Sequence, residues 1–167
     1  MRDFREWRIA YAKQALADLN TQEQLATTAK VPESQQLHFL QMACEKLCKA
    51  YLCGQGTDPI DLRKSHAHIE RTLPMIARQQ FARERHKSDH TWVLQALRKL
   101  ARQIELLAPA VNDGGRHPAN CEYPWVGPEG QIVVPAEHKF GCNLLYDRTG
   151  RHLFKVLRAA ADDLIRS

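Results

Sequence analysis

Apolar positions in this chain recur three and four residues apart in five stretches, and each stretch predicts a helix. The first covers residues 3–19, with Ile9, Ala12, Leu16 and Leu19 as its stripe, Trp7 and Tyr11 beside it, and Lys13, Gln14 and Asp18 facing water. Residues 20–32 are polar and contain Thr27, Thr28 and Pro32, so they read as a frayed helix end or linker. Leu37, Leu40, Cys44, Leu47 and Tyr51 keep the helical step over residues 33–53, and Cys53-Gly54 closes that run. After a Gly/Asp/Pro loop, Ser65 is the expected cap of a third helix carrying Ile69, Leu73 and Ile76. Pro74 lies inside that pattern, where its missing N–H and its ring predict a kink or a restart. Ser88 or Asp89 caps a fourth helix bearing Val93, Leu97, Leu100, Ile104 and Leu107, and Leu153, Leu157, Ala160 and Leu164 mark the last over residues 149–165.

The stretch between the last two helices breaks the pattern. Residues 111–149 hold five of the eight glycines and four of the eight prolines, far beyond ordinary loop length, so the insertion at about 109–148 is expected to be functional or partly structured. Gln131-Ile-Val-Val is its strand-like run, and a short hairpin over residues 125–134 is the expected form. The fold class is therefore an all-α, up-and-down helical bundle of about five helices, a single domain over residues 1–167.

Charge changes this picture modestly. The 24 Lys and Arg against 19 Asp and Glu give +5, which admits an anionic partner without requiring one. The densest basic segment follows the third helix, where Arg78, Arg83, Arg85, His86, Lys87 and His90 crowd together. Neither a long apolar run nor a signal-peptide pattern opens the chain, so no membrane span is expected and the cytoplasm is the expected compartment. Five cysteines, an odd count, with Cys44 and Cys48 one helical turn apart, point to free thiols rather than a disulfide framework. With neither Cys-x-x-Cys nor His-Glu-x-x-His present, no metal is expected, and without a Gly-rich phosphate loop or Gly-x-Ser-x-Gly there is no sign of an ATPase or serine hydrolase. No cofactor is implied. Glu45 and Lys49, four apart, read as a solvated helix pair.

The segment Met-Ala-Cys-Glu-Lys-Leu-Cys-Lys-Ala within residues 33–53, followed by a Ser-His entry to the next helix, resembles the second helix and following turn of the HEPN domain family. The resemblance is best over residues 33–69. Trp7 and Asp18 agree with the family's first helix, while Glu122-Tyr-Pro-Trp125 stands where many members carry an Arg-Tyr-Pro-Asp-like motif, with Glu122 in place of the arginine and Trp125 in place of the acid. The resemblance implies a HEPN-like bundle, a homodimer, and a nucleotide- or nucleic-acid-binding module that works without catalysis, in some cases beside a nucleotidyltransferase partner. His66, Arg83, Lys87, Glu122, Tyr123 and Trp125 are its expected ligand-binding residues.

Ribonuclease members of that family, including toxins and defence proteins, carry Arg-polar-x-x-x-His. There the histidine moves the ribose 2'-hydroxyl proton and the arginine stabilises charge growing on the phosphate. Arg85 and His90 have this spacing and are the expected catalytic pair of that alternative, a metal-independent endoribonuclease; Arg63 and His68 repeat the spacing. A third alternative is a structural protein whose insertion meets a protein partner. Tyr123-Pro-Trp125 either plugs the end of the bundle or offers a stacking surface to a base.

Overall fold

The computed structural model describes residues 4–54, 57–83, 91–111, 117–140 and 147–167. Helix α1 (Phe4–Thr27) is eight residues longer at its C-terminal end than its apolar stripe predicts. The stripe Ala12, Ala15 and Leu19 continues through Gln22, a polar residue that is buried and therefore silent in a hydrophobic pattern. Thr27 and Thr28 each donate a hydroxyl hydrogen bond to the Gln24 carbonyl at 2.9 Å, satisfying a terminal acceptor, and Lys30 turns the chain with φ of 66°. The expected linker at residues 20–32 is thus mostly helix. Asp18, expected in water, is buried, taking a 2.6 Å bond from Lys46 and a 3.0 Å bond from Gln14.

Helix α2 (Glu33–Leu52) is the central element and packs against α1 most extensively. Its other neighbours are α4 (Ile69–Arg83), α5 (Thr91–Glu105) and α6 (Arg148–Arg166). A helix with neighbours on most sides buries polar residues too, and Gln36, Gln41, Glu45 and Lys49 are all buried beside Leu37, Leu40, Leu47 and the two cysteines. The remaining helices each turn one stripe inward: Leu73, Ile76 and Ala77 of α4, Val93, Leu97 and Ile104 of α5, Leu153, Val156 and Leu157 of α6. All-α architecture and the expected stripes are therefore present, with six helices among the described residues rather than about five.

The additional helix is α3 (Pro59–Lys64), whose Asp58 side chain accepts the Ile60 N–H at 2.8 Å while Pro59 occupies the first turn. Ser65 ends α3 instead of capping the following helix. The α4 N-terminus is capped from a distance: the buried Glu105 carboxylate of α5 accepts the Glu70 N–H at 3.0 Å. Pro74 lies within α4 without a restart, since it removes one donor from a helix already held by its buried stripe.

In the insertion, β1 (Trp125–Val126) and β2 (Ile132–Val133) form the expected antiparallel hairpin, pairing Trp125 with Val133 and Val126 with Ile132. Its turn closes through Gly127 N–H to Gln131 O at 2.8 Å, and Gly130 adopts φ of 80°, a conformation costly for a side chain. The insertion is tied to the bundle by Cys121 N–H to Leu107 O at 3.1 Å and by Phe140 N–H to the Glu33 carboxylate at 3.2 Å.

Candidate functional site: a belt of arginine-lined grooves

Four surface grooves lie next to one another around α4 and α6, each sharing lining residues with a neighbour. The largest, about 690 Å³, lies where the start of α1, the end of α2, the last turns of α4 and the end of α6 meet, and its wall includes Arg5, Arg8, Arg83 and Arg166. Gln79 joins it to a second groove of about 540 Å³ between α4 and α5, with Arg71, Arg78 and Arg98. On the other side Arg83 and Asp163 join it to a third, about 300 Å³, which shares Lys155 and His152 with a fourth containing Arg148 and Arg151. Ten arginines and lysines line this belt against two acidic side chains, Glu70 and Asp163. The rest of the chain then holds fourteen basic against seventeen acidic residues, so the whole surplus of +5 is gathered on one track.

Local structure accounts for the track. Arg71, Arg78 and Gln79 lie on the face of α4 opposite Leu73, Ile76 and Ala77, so packing the apolar stripe turns them outward. Arg83 is set by an ion pair to Asp163, whose carboxylate also takes the Gln80 amide at 3.1 Å, and Gln80 reaches the Tyr51 hydroxyl at 3.4 Å. Burial raises the Tyr51 pKa, so its hydroxyl stays protonated at neutral pH. Arg8 is half-buried at the groove wall, and its Nε is enclosed without a hydrogen-bond partner.

Of the ligand-binding residues expected from sequence, Arg83 lies in the belt. Lys87, and the pair Arg85 and His90, lie outside the described residues, in the segment that follows Arg83. The Glu122 to Trp125 loop is not brought to Arg83. Glu122 sits 3.6 Å from His38 near the start of α2, whereas Arg83 is linked through Gln80 to Tyr51 near its end. Thirteen residues of helix put those two points about 20 Å apart. Asn120, which no sequence motif singles out, is buried and shapes that loop: its Oδ1 accepts the N–H groups of Glu122 and Tyr123 at 2.9 and 2.7 Å, and its amide donates to Pro118 O and Tyr123 O. Tyr123 is exposed, while Trp125 is half-buried with its ring edge-on to His138 at 5.0 Å and tilted against Phe140. Phe140 packs on the core, so Trp125 is linked to the bundle through it.

His66 belongs to a second polar centre. Gln41, Glu45 and Lys49 form a stripe at four-residue spacing inside the bundle, and Glu45 takes hydrogen bonds from Lys49 at 2.5 Å and Gln41 at 3.0 Å. The His66 Nδ1 lies 3.2 Å from the same carboxylate. The Glu45–Lys49 pair is thus buried, not solvated as its spacing suggested, because neighbouring elements cover this part of α2. Burial alone would push the Glu45 carboxyl up, but the Lys49 ammonium, the Gln41 amide and His66 together hold it below the usual carboxylate range. His68 is driven down by burial and then by the Lys49 ammonium, and its Nε2 is enclosed without a partner. Arg63 is exposed on α3 while His68 is half-buried, so this second Arg-x4-His match does not present both groups equally to a substrate. Burial also pushes the Cys44 and Cys48 thiols well up, keeping them protonated and poor nucleophiles at neutral pH.

These pKa directions predict a pH-dependent stability. His68 binds a proton less readily folded than unfolded, so the unfolded chain gains protons first as pH falls below about 6.5, and stability drops. Glu45, lowered in the fold, contributes fully above about 4.3 and loses that contribution as pH falls further. Glu105, raised by its burial, works the other way and recovers stability as pH falls through its raised value. Thermal melts from pH 8 to 3 are expected to fall in two steps, and His68→Gln is expected to remove the upper one; an unchanged upper step would show that another group carries it.

Among the described residues no group of three His, Cys, Asp or Glu converges as a metal site, and no helix is long and apolar enough to cross a membrane. No protein-family model matches the chain, and no curated protein or solved structure does either.

Proposed function

We propose that this chain is a HEPN-like nucleic-acid-binding module that holds its ligand by the phosphate backbone along the arginine belt. The observation that carries the reading is the segregation of charge: ten basic side chains against two acidic ones on adjacent grooves, in a chain whose remaining side chains are net acidic. A mononucleotide needs one such groove. Four adjacent grooves suit a polymer with regularly spaced charge. The likeness of residues 33–69 to HEPN proteins supports the same reading, as it does a homodimer and a nucleotidyltransferase partner.

A labelled 20-nucleotide RNA titrated with protein at several salt concentrations tests it. Binding is expected to weaken linearly on a log–log plot as salt rises; binding that is absent, or indifferent to salt, would remove the proposal. One observation keeps the endoribonuclease as a second reading: the segment with Arg85 and His90 leaves α4 at Arg83, inside the belt. In the same assay with EDTA the RNA is expected to stay intact. Cleavage that disappears in both Arg85→Ala and His90→Ala would make the protein a metal-independent ribonuclease instead.

A further inference from the structure

Three large apolar side chains are exposed along the belt, where a purely electrostatic surface has no use for them. Phe4 is 43% exposed in the largest groove, Met75 is 53% exposed in the second, and Trp92 is 41% exposed beside the fourth. Trp92 is the second residue of α5 and lies off the buried stripe begun by Val93. Two groove residues one turn apart on α6 hold its ring: the Arg148 guanidinium lies 4.6 Å from the ring centroid, and His152 meets the indole edge-on at 5.6 Å. The indole is therefore positioned before any ligand arrives, which lowers the entropy cost of using it.

A duplex turns phosphates outward and keeps its base faces stacked inside, so it would meet the arginines and leave these apolar surfaces uncovered. A single strand carries both kinds of group outward, charge on its backbone and π-faces on its bases. Basic grooves interleaved with exposed aromatic rings match that chemistry.

We infer that the belt selects single-stranded nucleic acid, with Trp92 and Phe4 as positions on which unpaired bases stack. This rests on the belt's being a nucleic-acid surface, and deepens it by naming the strand state. The ligand class is an unpaired polynucleotide, and oligouridylate and oligothymidylate separate RNA from DNA as its source.

The experiment compares labelled 20-mers of each with a GC-rich duplex of equal length, using wild type, Trp92→Ala, Trp92→Phe and Phe4→Ala. Wild type is expected to bind at least one of the single strands about tenfold more tightly than the duplex. Trp92→Ala is expected to lose roughly five- to a hundredfold in single-strand affinity, with duplex binding and the salt slope unchanged. Trp92→Phe should keep most of it, and Phe4→Ala, in a different groove, gives an independent loss if Trp92→Ala folds poorly. Equal binding of strand and duplex, or variants that lose both alike, would overturn the inference while leaving the belt as a backbone site. Binding of neither form by wild type would remove the belt reading itself.

Discussion

Replacing Arg71, Arg78, Arg83 and Arg151 together by glutamine is expected to lower nucleic-acid affinity by about two to three orders of magnitude near 0.1 M salt. Each phosphate neutralised by a cation releases condensed counterions, and for a single strand the salt slope changes by about 0.7 for each phosphate no longer neutralised. Removing four cations makes the slope shallower by about 3, and at 0.1 M that corresponds to the expected loss in binding. All four side chains are exposed and sit on helices held by buried stripes, so the melting temperature should move little. Arg83 is the exception worth isolating, because its removal releases Asp163 into the groove and adds repulsion toward a phosphate. The check is the slope measured with a labelled 20-mer on folded protein. An affinity drop with an unchanged slope would mean that these arginines act through structure and do not touch phosphates.

The second large effect concerns stability. Lys49→Ala is expected to destabilise the fold by about 3–5 kcal/mol, because it leaves the Glu45 carboxylate buried without its cation. For a chain of this length that is roughly 6–20 °C in melting temperature, a large part of the roughly 5–15 kcal/mol that holds a typical domain together. The double variant Glu45→Leu with Lys49→Met is expected to recover most of the loss, since a well-packed apolar pair often matches or exceeds a buried ion pair. The partners of Glu45 limit the recovery: Gln41 and His66 each lose an acceptor. Urea melts of the single and double variants measure both numbers. A Lys49→Ala protein within about 1 kcal/mol of wild type would show that water reaches Glu45 and that the pair is worth no more than an exposed one.

The two centres show different limits of reading a chain by its pattern. Leucine and isoleucine spacing located the buried stripes of α2, α4, α5 and α6 because an apolar face has only one stable destination, the core. The hairpin was legible too, from β-branched residues between glycines and prolines. Missed elements were those carried by polar groups. Gln22 continues α1 by being buried, Asp58 starts a six-residue helix, and Glu105 caps α4 from thirty-five residues away. None of these leaves a hydrophobic signal, and the last leaves no local signal at all.

By itself the sequence determined the all-α class, the inward stripes, the place of the hairpin and the modest positive charge, since each depends on local composition and period. Only the tertiary structure decided where that charge lies. Arg5 and Arg8 from α1, Arg83 from α4 and Arg166 from α6 become neighbours because four helix ends meet around α2, while Glu122 and Arg83, both candidates from sequence, are held at its opposite ends. The Glu45–Lys49 pair makes the same point inside the molecule. Its i, i+4 spacing is the same on any helix, and whether it is solvated or interior depends on how many neighbours that helix has.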